Sequence, residues 1–437
     1  MAGLTQSEAT VEECDVLIIG GGPAGSTAAA LLAQKGHRVV VAEKDHHPRF
    51  HVGESLLPAN LPLFDRLGVA DEIRAIGMVK RGVQFVSPWH ENTSQTFAFK
   101  DAWDKTMPHA YQVRRSEFDE VLLRNAAHNG ATVIEGCRVR SVENAPADAG
   151  SLVHADDGSA TGRTWHTRYV IDASGRDTFM GNRERMKYRN PRHNSASLYA
   201  HFRGAIRQEG EAEGDISIFW FQHGWLWFIP LPDGATSVGA VTWPYYMKTR
   251  STDVETFFRD IIAQAPELAA RLASAEMVTP VEATGNFSYF CERAYGPNYV
   301  LVGDALSFID PVFSSGVLLA MQSAFAAAGA VDTSLRKPAQ AQAALKGYEQ
   351  AMRGGLRKLS WFIYRINHPS MRDLFMGPRN IFRVKEALLS VLAGDIFGNT
   401  PIWRSVAAFK AIYYWNQMRN PRRSIAAWQR RRVSIRV

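Results

Sequence analysis

Residues 20–25, Gly20-Gly21-Gly22-Pro23-Ala24-Gly25, have G-x-G-x-x-G spacing, and an acid, Glu43, follows 23 residues after Gly20. Such a loop lets the backbone approach a pyrophosphate, and the start of the next helix adds N–H groups and the positive end of its dipole. A carboxylate at that distance suits a ribose hydroxyl, so Gly20, Gly22, Ala24, Gly25 and Glu43 have the pattern of a dinucleotide site. Three other places carry groups suited to chemistry: Lys80, the paired indoles Trp225 and Trp227, and the run from Asp310 to Val317, where a loop enters a helix. Backbone N–H groups at such a junction can hold an anion, although Ser314 or Ser315 is equally suited to capping the helix. A lysine ahead of a strand is ordinarily solvated. Two alternating indoles are ordinarily core, but on one strand face they can also wall off a pocket.

These residues need elements to hold them. Residues 15–19 form an apolar run closed by Gly20, residues 24–34 read as an alanine-rich helix, and residues 37–41 supply a second buried strand ending near Glu43. That is a βαβ unit. Residues 80–85 and 95–99 have strand character, and 116–128 reads as a helix feeding a strand at 131–135. A hairpin-like stretch over 139–170 leads into Tyr169-Val-Ile-Asp-Ala-Ser-Gly175. From 192 to 285 the texture changes to short aromatic strands broken by Gly and Pro, as in an antiparallel sheet covering a pocket. The α/β texture returns at 299–304, an alanine-rich helix follows over 316–331, and 337–437 is mainly helical in pattern.

With 437 residues, 46% of them hydrophobic and 21% charged, the chain is neither disordered, collagen-like nor a disulfide scaffold. Cys14, Cys137 and Cys291 have no short spacing, which argues for a reducing compartment and against a zinc site. The first thirteen residues are polar, with Glu8, Glu12 and Glu13, and 316–331 is interrupted by Gln322 and Ser323. A cytoplasmic protein without signal peptide or membrane span is therefore expected.

The net charge of +7 is a property of the tail: residues 396–437 hold nine Lys or Arg and no acid, leaving 41 basic and 43 acidic residues before them. Nucleic acid is accordingly not an expected partner. Trp403, Val406, Ala407, Ala411, Tyr414 and Met418 recur at steps of three or four, predicting a helix over 403–418 that buries this stripe on the body. Five arginines follow within Arg422 to Arg432, so that segment suits an anionic partner, either an acidic carrier protein or peripheral contact with a membrane.

Asp172-Ala173-Ser174-Gly175, Leu301-Val302-Gly303-Asp304-Ala305 and Arg115 in Val113-Arg-Arg-Ser-Glu-Phe-Asp119 resemble, taken together, the signatures of FAD enzymes of the para-hydroxybenzoate hydroxylase type. That resemblance implies FAD, with Asp304 at its ribityl chain and Arg49, Ser55, Arg115, Gly316 and Val317 also around the cofactor. Gly224-Trp225-Leu226-Trp227-Phe228-Ile229-Pro230 looks like the W-x-W-x-I-P signature of one branch, the flavin-dependent halogenases. Lys80 stands where that family has its lysine relative to Gly53-Glu-Ser-Leu-Leu-Pro58.

The resemblance, over roughly residues 13–330, implies an α/β fold. A Rossmann-like FAD-binding domain (12–85, 110–190, 286–335) is interleaved with an antiparallel β-sheet substrate domain (86–109, 191–285), and a helical C-terminal region (336–437) follows. It further implies reduced FAD and chloride or bromide as cofactors, with halide at Ser315 and Gly316. Trp225, Trp227 and Phe313 would wall the substrate pocket, and Lys80 would deliver electrophilic halogen as a hydrogen-bonded hypohalous acid or a chloramine. Phe313 occupies the place of a glutamate in tryptophan-type members, which places the chain nearer the branch acting on phenols and pyrroles. No second G-x-G-x-x-G is seen for NAD(P)H, so a separate flavin reductase is an expected partner, with a small aromatic substrate, free or on an acidic acyl carrier protein. An FAD-dependent aromatic hydroxylase is the rival reading, and it conflicts with Lys80 and the paired tryptophans. A prenyl-chain reductase would lack the tryptophan pair, and a non-enzymatic flavoprotein adaptor would rest on the tail alone.

Overall fold

In the computed structural model, which describes residues 11–144, 149–191, 193–285, 288–398 and 400–435, the first apolar run is the centre of a parallel sheet. Glu8 and Arg436 of the charge reading lie outside the described residues. Strand Val11–Ile19 lies between Val39–Ala42 and Arg163–Asp172, with Thr132–Ile134 beyond the former and Tyr299–Leu301 beyond the latter, all parallel. It starts earlier than its apolar run because Val11 to Cys14 pair with Thr164 to Thr167. Helices α1 (Pro23–Gln34), α2 (Arg115–His128) and α3 (Gly316–Arg336) pack around this sheet, with α1 touching both others, which is why its strands are apolar without alternation. Where strand turns into α1, Gly20 has φ +101°, and a Cβ on Gly25 would sit 1.9 Å from the Gly20 carbonyl oxygen. Only glycine permits that contact.

The second sheet runs in the order Glu276–Met277, Ala196–Arg203, Ala235–Thr242, Gly224–Pro230, Ile216–Phe221, Gly82–Ser87 and Thr93–Ala98. Its pairs are antiparallel apart from Ile216–Phe221 with Gly82–Ser87. Strand Gly82–Ser87 belongs to this sheet, so the sheet takes in residues ahead of the expected boundary at 86. Alternation decides the faces. Leu198, Ala200, Leu226, Phe228, Val238 and Ala240 pack under Phe258 and Ile261, while Tyr199, Trp225, Trp227, Ile229 and Val241 face the other way.

The C-terminal helices α4 (Pro338–Ile363), α5 (Pro369–Met376), α6 (Val384–Leu392) and α7 (Trp403–Arg419) close over that second face. Phe375 of α5 meets the Phe85 ring edge-on at 4.9 Å. The stripe expected on α7 is corrected: Val406 is buried, but Tyr414 and Met418 are exposed, and the buried row is Ile402, Val406, Phe409 and Tyr413. That row has equally good helical spacing and puts two large rings rather than two alanines in the core. Helix α8 (Pro421–Ile435) lies outermost with no buried side chain among its described residues. A second correction concerns α3, which is long and apolar enough to cross a membrane; 61% of its most apolar stretch is buried and it packs on α1 and α4 as a core helix.

Candidate active site

A cavity of about 830 Å³ runs from the glycine loop to the paired tryptophans. At the first end, Gly22, Ala24, Glu43, Arg49, Arg115 and Asp304 line it. Gly20 also lines it, whereas Gly25 serves the strand-to-helix contact behind. The Glu43 carboxylate is held at the rim by backbone N–H groups of Gly21 at 2.5 Å and Asp45 at 2.9 Å. Arg115 donates to both oxygens of Asp119, at 2.8 and 3.0 Å, and to the Val52 carbonyl at 3.0 Å. Arg49 reaches the same buried Asp119 at 3.5 Å, and its buried Nε makes no hydrogen bond, with Asp45 Oδ2 3.8 Å away. Asp119, missed by sequence reading, was findable one helical turn after Arg115. Burial pushes the Asp304 carboxyl up to about 6, opposed by Arg115 and Arg176.

The glycines test whether a flavin dinucleotide fits. A Cβ on Gly22 would meet nothing closer than Arg49 at 3.6 Å, and one on Gly316 would meet nothing within 4 Å, yet both positions line the cavity. Their missing side chains leave room for a ligand rather than for a neighbouring element. Together with the Arg49 guanidinium, whose Nε makes no hydrogen bond, and the start of α1, that is a cradle for a pyrophosphate, continued past Asp304 to Gly316 and Val317.

At the far end, the Trp225 and Trp227 rings lie 6.0 Å apart along the cavity. Trp227 Nε1 donates to Ser237 Oγ at 3.1 Å, and its ring crosses Gly239, where a Cβ would come within 2.2 Å of it. Gly239 is thus the slot that holds the indole flat. Phe313 is buried in the apolar cluster shared by both tryptophans with Leu359, Phe362 and Ile363, and it does not line the cavity. Ser315 is also buried and outside the cavity lining; it stands at the N-terminus of α3 without a side-chain cap, while Ser314, at φ +55°, and Gly316 face the cavity. Any anion there would meet backbone rather than the Ser315 hydroxyl. The loop is fixed by Asp310: Oδ1 accepts from Val312 N–H at 3.2 Å, and Oδ2 accepts from Ser195 Oγ and meets His193 Nε2, each at 2.9 Å. His193 and Ser195 lie in a stretch with no motif, so nothing in the sequence signalled them.

Lys80 is 1% exposed. Its Nζ donates to Ser55 Oγ and to the Leu56 carbonyl, both at 2.9 Å, and lies 5.3 Å over the Phe99 ring. Burial pushes its pKa down to about 7, against a smaller upward pull from Asp215. Ser55 lines the cavity and Lys80 does not, so the hydroxyl stands between the ammonium and the cofactor space. Next to it, Glu54 holds His201 Nε2 at 2.7 Å, with its second oxygen buried, unpartnered and beside the cavity.

Residues 13–355 match the family model described as FAD binding domain. The 1H-pyrrole-2-carbonyl-[peptidyl-carrier protein] chlorinase of Pseudomonas fluorescens is 30% identical over 409 residues, covering 88% of this chain and 89% of that protein. The chain belongs to the flavin-dependent halogenases. A tryptophan 2-halogenase of Chondromyces crocatus is 34% identical over 347 residues, 78% of this halogenase and 65% of the relative, so the chain spans about two thirds of that protein's length. The myxobacterial chondrochloren halogenase shares the fold at TM-score 0.76 and 32% identity, with 90% of this chain and 93% of that one covered. A flavoprotein/dehydrogenase from Cytophaga hutchinsonii superposes at TM-score 0.84 and 28% identity over 94% of this halogenase and all of the other chain. The cofactors of this halogenase are FAD and a halide, and its α/β FAD-binding fold with a helical C-terminus is the one expected from the residues.

Proposed function

We propose that this halogenase chlorinates or brominates an electron-rich phenol or pyrrole, free or held on a carrier protein, using FADH2 from a separate flavin reductase. The observation that carries the reading is Lys80, fully buried and joined through Ser55 to the flavin cavity. Bound FADH2, with oxygen, supplies the two-electron oxidation of halide to hypohalous acid. The chain's own residues do the rest. Backbone at Gly316 holds the halide, in a loop fixed by Asp310. Trp225 and Trp227 keep the aromatic substrate off the cofactor, and Phe313 packs behind them. The Lys80 ammonium donates to the oxygen of hypohalous acid and lowers the cost of its departure. The ring carbon forms a bond to halogen as the oxygen–halogen bond breaks, and the ring proton leaves with that oxygen as water.

Support for a phenol or pyrrole comes from a relative named for a carrier-bound pyrrole, and from the sequence pattern in which Phe313 stands where tryptophan-type members have a glutamate. We likewise assign the FAD-binding, substrate and C-terminal regions at the boundaries read from sequence, with the second sheet starting at Gly82. Three buried, unbridged cysteines fit a reducing cytoplasm. The test is the mass of products from purified protein, FAD, a flavin reductase and bromide with a phenol and pyrrole panel. A bromine isotope doublet is expected; oxygenated products alone would support a hydroxylase instead.

A further inference from the structure

Lys80 ends the strand Met78–Lys80, and one carboxylate holds the two backbone groups that follow it. Asp215 Oδ1 accepts from the Arg81 and Gly82 N–H groups, each at 2.7 Å. Asp215 is 4% exposed and comes from the turn ahead of strand Ile216–Phe221, more than a hundred residues along the chain. Two glycines let it come so close. A Cβ on Gly214 would lie 2.1 Å from the Val79 carbonyl oxygen, and one on Gly82 would lie 3.1 Å from Asp215 Oδ2. Gln112 ties the same turn to the other side of the lysine. Its buried Nε2 donates to the Gly214 carbonyl at 3.0 Å, and its backbone bridges that of Ser55, whose hydroxyl accepts from Lys80. Contacts through Ser55, Gln112, Gly214 and Asp215 therefore close a circuit around Lys80.

A neutral acceptor would hold two N–H groups as well, and a buried carboxylate is costly unless its charge is answered. Burial presses the Asp215 carboxyl up, while the two N–H bonds, Lys80 and Arg81 pull it down. Arg81 is half exposed and reaches Glu211 at 3.7 Å, so the buried cation facing Asp215 is Lys80. Around the ammonium stand Ser55 Oγ, the Leu56 carbonyl, the Phe99 ring and, across the strand pair, Ala110. Titratable neighbours on those elements are engaged elsewhere: Glu54 with His201 and Arg114, and His109 with Tyr111. Asp395, beyond the Ala393 that packs on Phe99, acts on Lys358. Among the described residues the charge that acts on Lys80 is that of Asp215.

Resting on the assignment of Lys80 to halogen delivery above, we propose that Asp215 is the positioning residue behind Lys80: it fixes the corner after the lysine and, by its charge, keeps the ammonium protonated in a site where burial favours the neutral amine. D215N separates the two roles, because an amide oxygen still accepts both N–H bonds once the charge is gone. D215A removes both. Two measurements on the FAD-loaded chain read the difference. One is brominated product per FADH2 oxidised, followed against pH. The other is an NMR titration of isotope-labelled lysine side chains, in which the Lys80 signal is the one missing from K80R.

In D215N the alkaline limb of the product yield and the Lys80 titration should both move to lower pH, with FAD content unchanged. If the opposite charge is worth roughly one pH unit, the yield at pH 7 falls about fivefold, since Lys80 titrates at about 7 in the native chain. D215A should lose more product than D215N at every pH. In a K80M background D215N should destabilise the chain less in urea than it does alone, because the lysine it answers is gone. A D215N profile and Lys80 titration that coincide with wild type would overturn the proposal and leave the delivery reading standing. Wild-type halogenation by K80A would instead remove the delivery reading, with the Lys80 titration still moving in D215N if Asp215 holds its charge.

Discussion

At the scale of single residues, Lys80 decides the most. K80A should keep FAD bound and lose halogenated product by about a hundredfold or more, measured as product per FADH2 oxidised. With its pKa near 7, Lys80 gives up its proton as pH rises through that value, so halogenation per flavin oxidised should decline above about 7. K80R, which stays charged, should lack that limb; a limb that persists in K80R belongs to another group. Stability has the opposite slope: an unfolded lysine keeps its proton to about pH 10, so between the two values the unfolded state binds more protons and stability rises with pH. A K80M variant should flatten that rise in urea titrations at several pH values. Gly239 offers a separate test of the tryptophan wall. G239V would drive a side chain into the Trp227 ring, and the expected outcome is normal FAD content with more of the oxidised FADH2 ending as hydrogen peroxide.

At the scale of elements, the halide loop and the last two helices make distinct claims. D310N removes a charge that gathers Val312, Ser195 and His193, and should raise the halide concentration for half-maximal turnover several-fold while leaving flavin content alone. Truncation after Asn420 removes a helix with no buried side chain among its described residues and should move Tm only slightly, whereas Y413A on α7 should cost about 3 to 5 kcal/mol. The parallel sheet, the glycine loop and the strand carrying Trp225 and Trp227 were legible because apolar runs, period-2 alternation and glycine spacing are local signals. The face of α7 was not: Trp403, Ala407 and Ala411 make as regular a row as Ile402, Phe409 and Tyr413, and the choice is made by the aromatic surface they meet. Lys80 was singled out by its place behind Gly53-Glu-Ser-Leu-Leu-Pro58, but its partners Ser55 and Leu56 come from tertiary contact. For the same reason the His193, Ser195 and Asp310 cluster, joined across more than a hundred residues, left no trace in spacing.

At the scale of the whole molecule, one continuous cavity serves the cofactor, and its lining contains a single G-x-G-x-x-G loop. NADPH alone should therefore reduce bound FAD slowly, with fast reduction only when a flavin reductase is added. Rapid reduction by NADPH in stopped-flow absorbance would favour the hydroxylase reading.

The division of labour along the chain has a consequence for its synthesis. The parallel sheet and α3 are complete by Arg336, but the apolar groups behind the tryptophans and the Ala393 that packs with Phe99 come from the next hundred or so residues. At roughly 5 to 20 residues per second, a nascent chain spends on the order of ten seconds with its flavin half formed and an uncovered aromatic sheet face. Ribosome-bound chains with α4 emerged as far as Met352, which completes the core of the parallel-sheet half, should bind FAD and recruit a chaperone at the aromatic sheet, and release of the remaining helices should displace it.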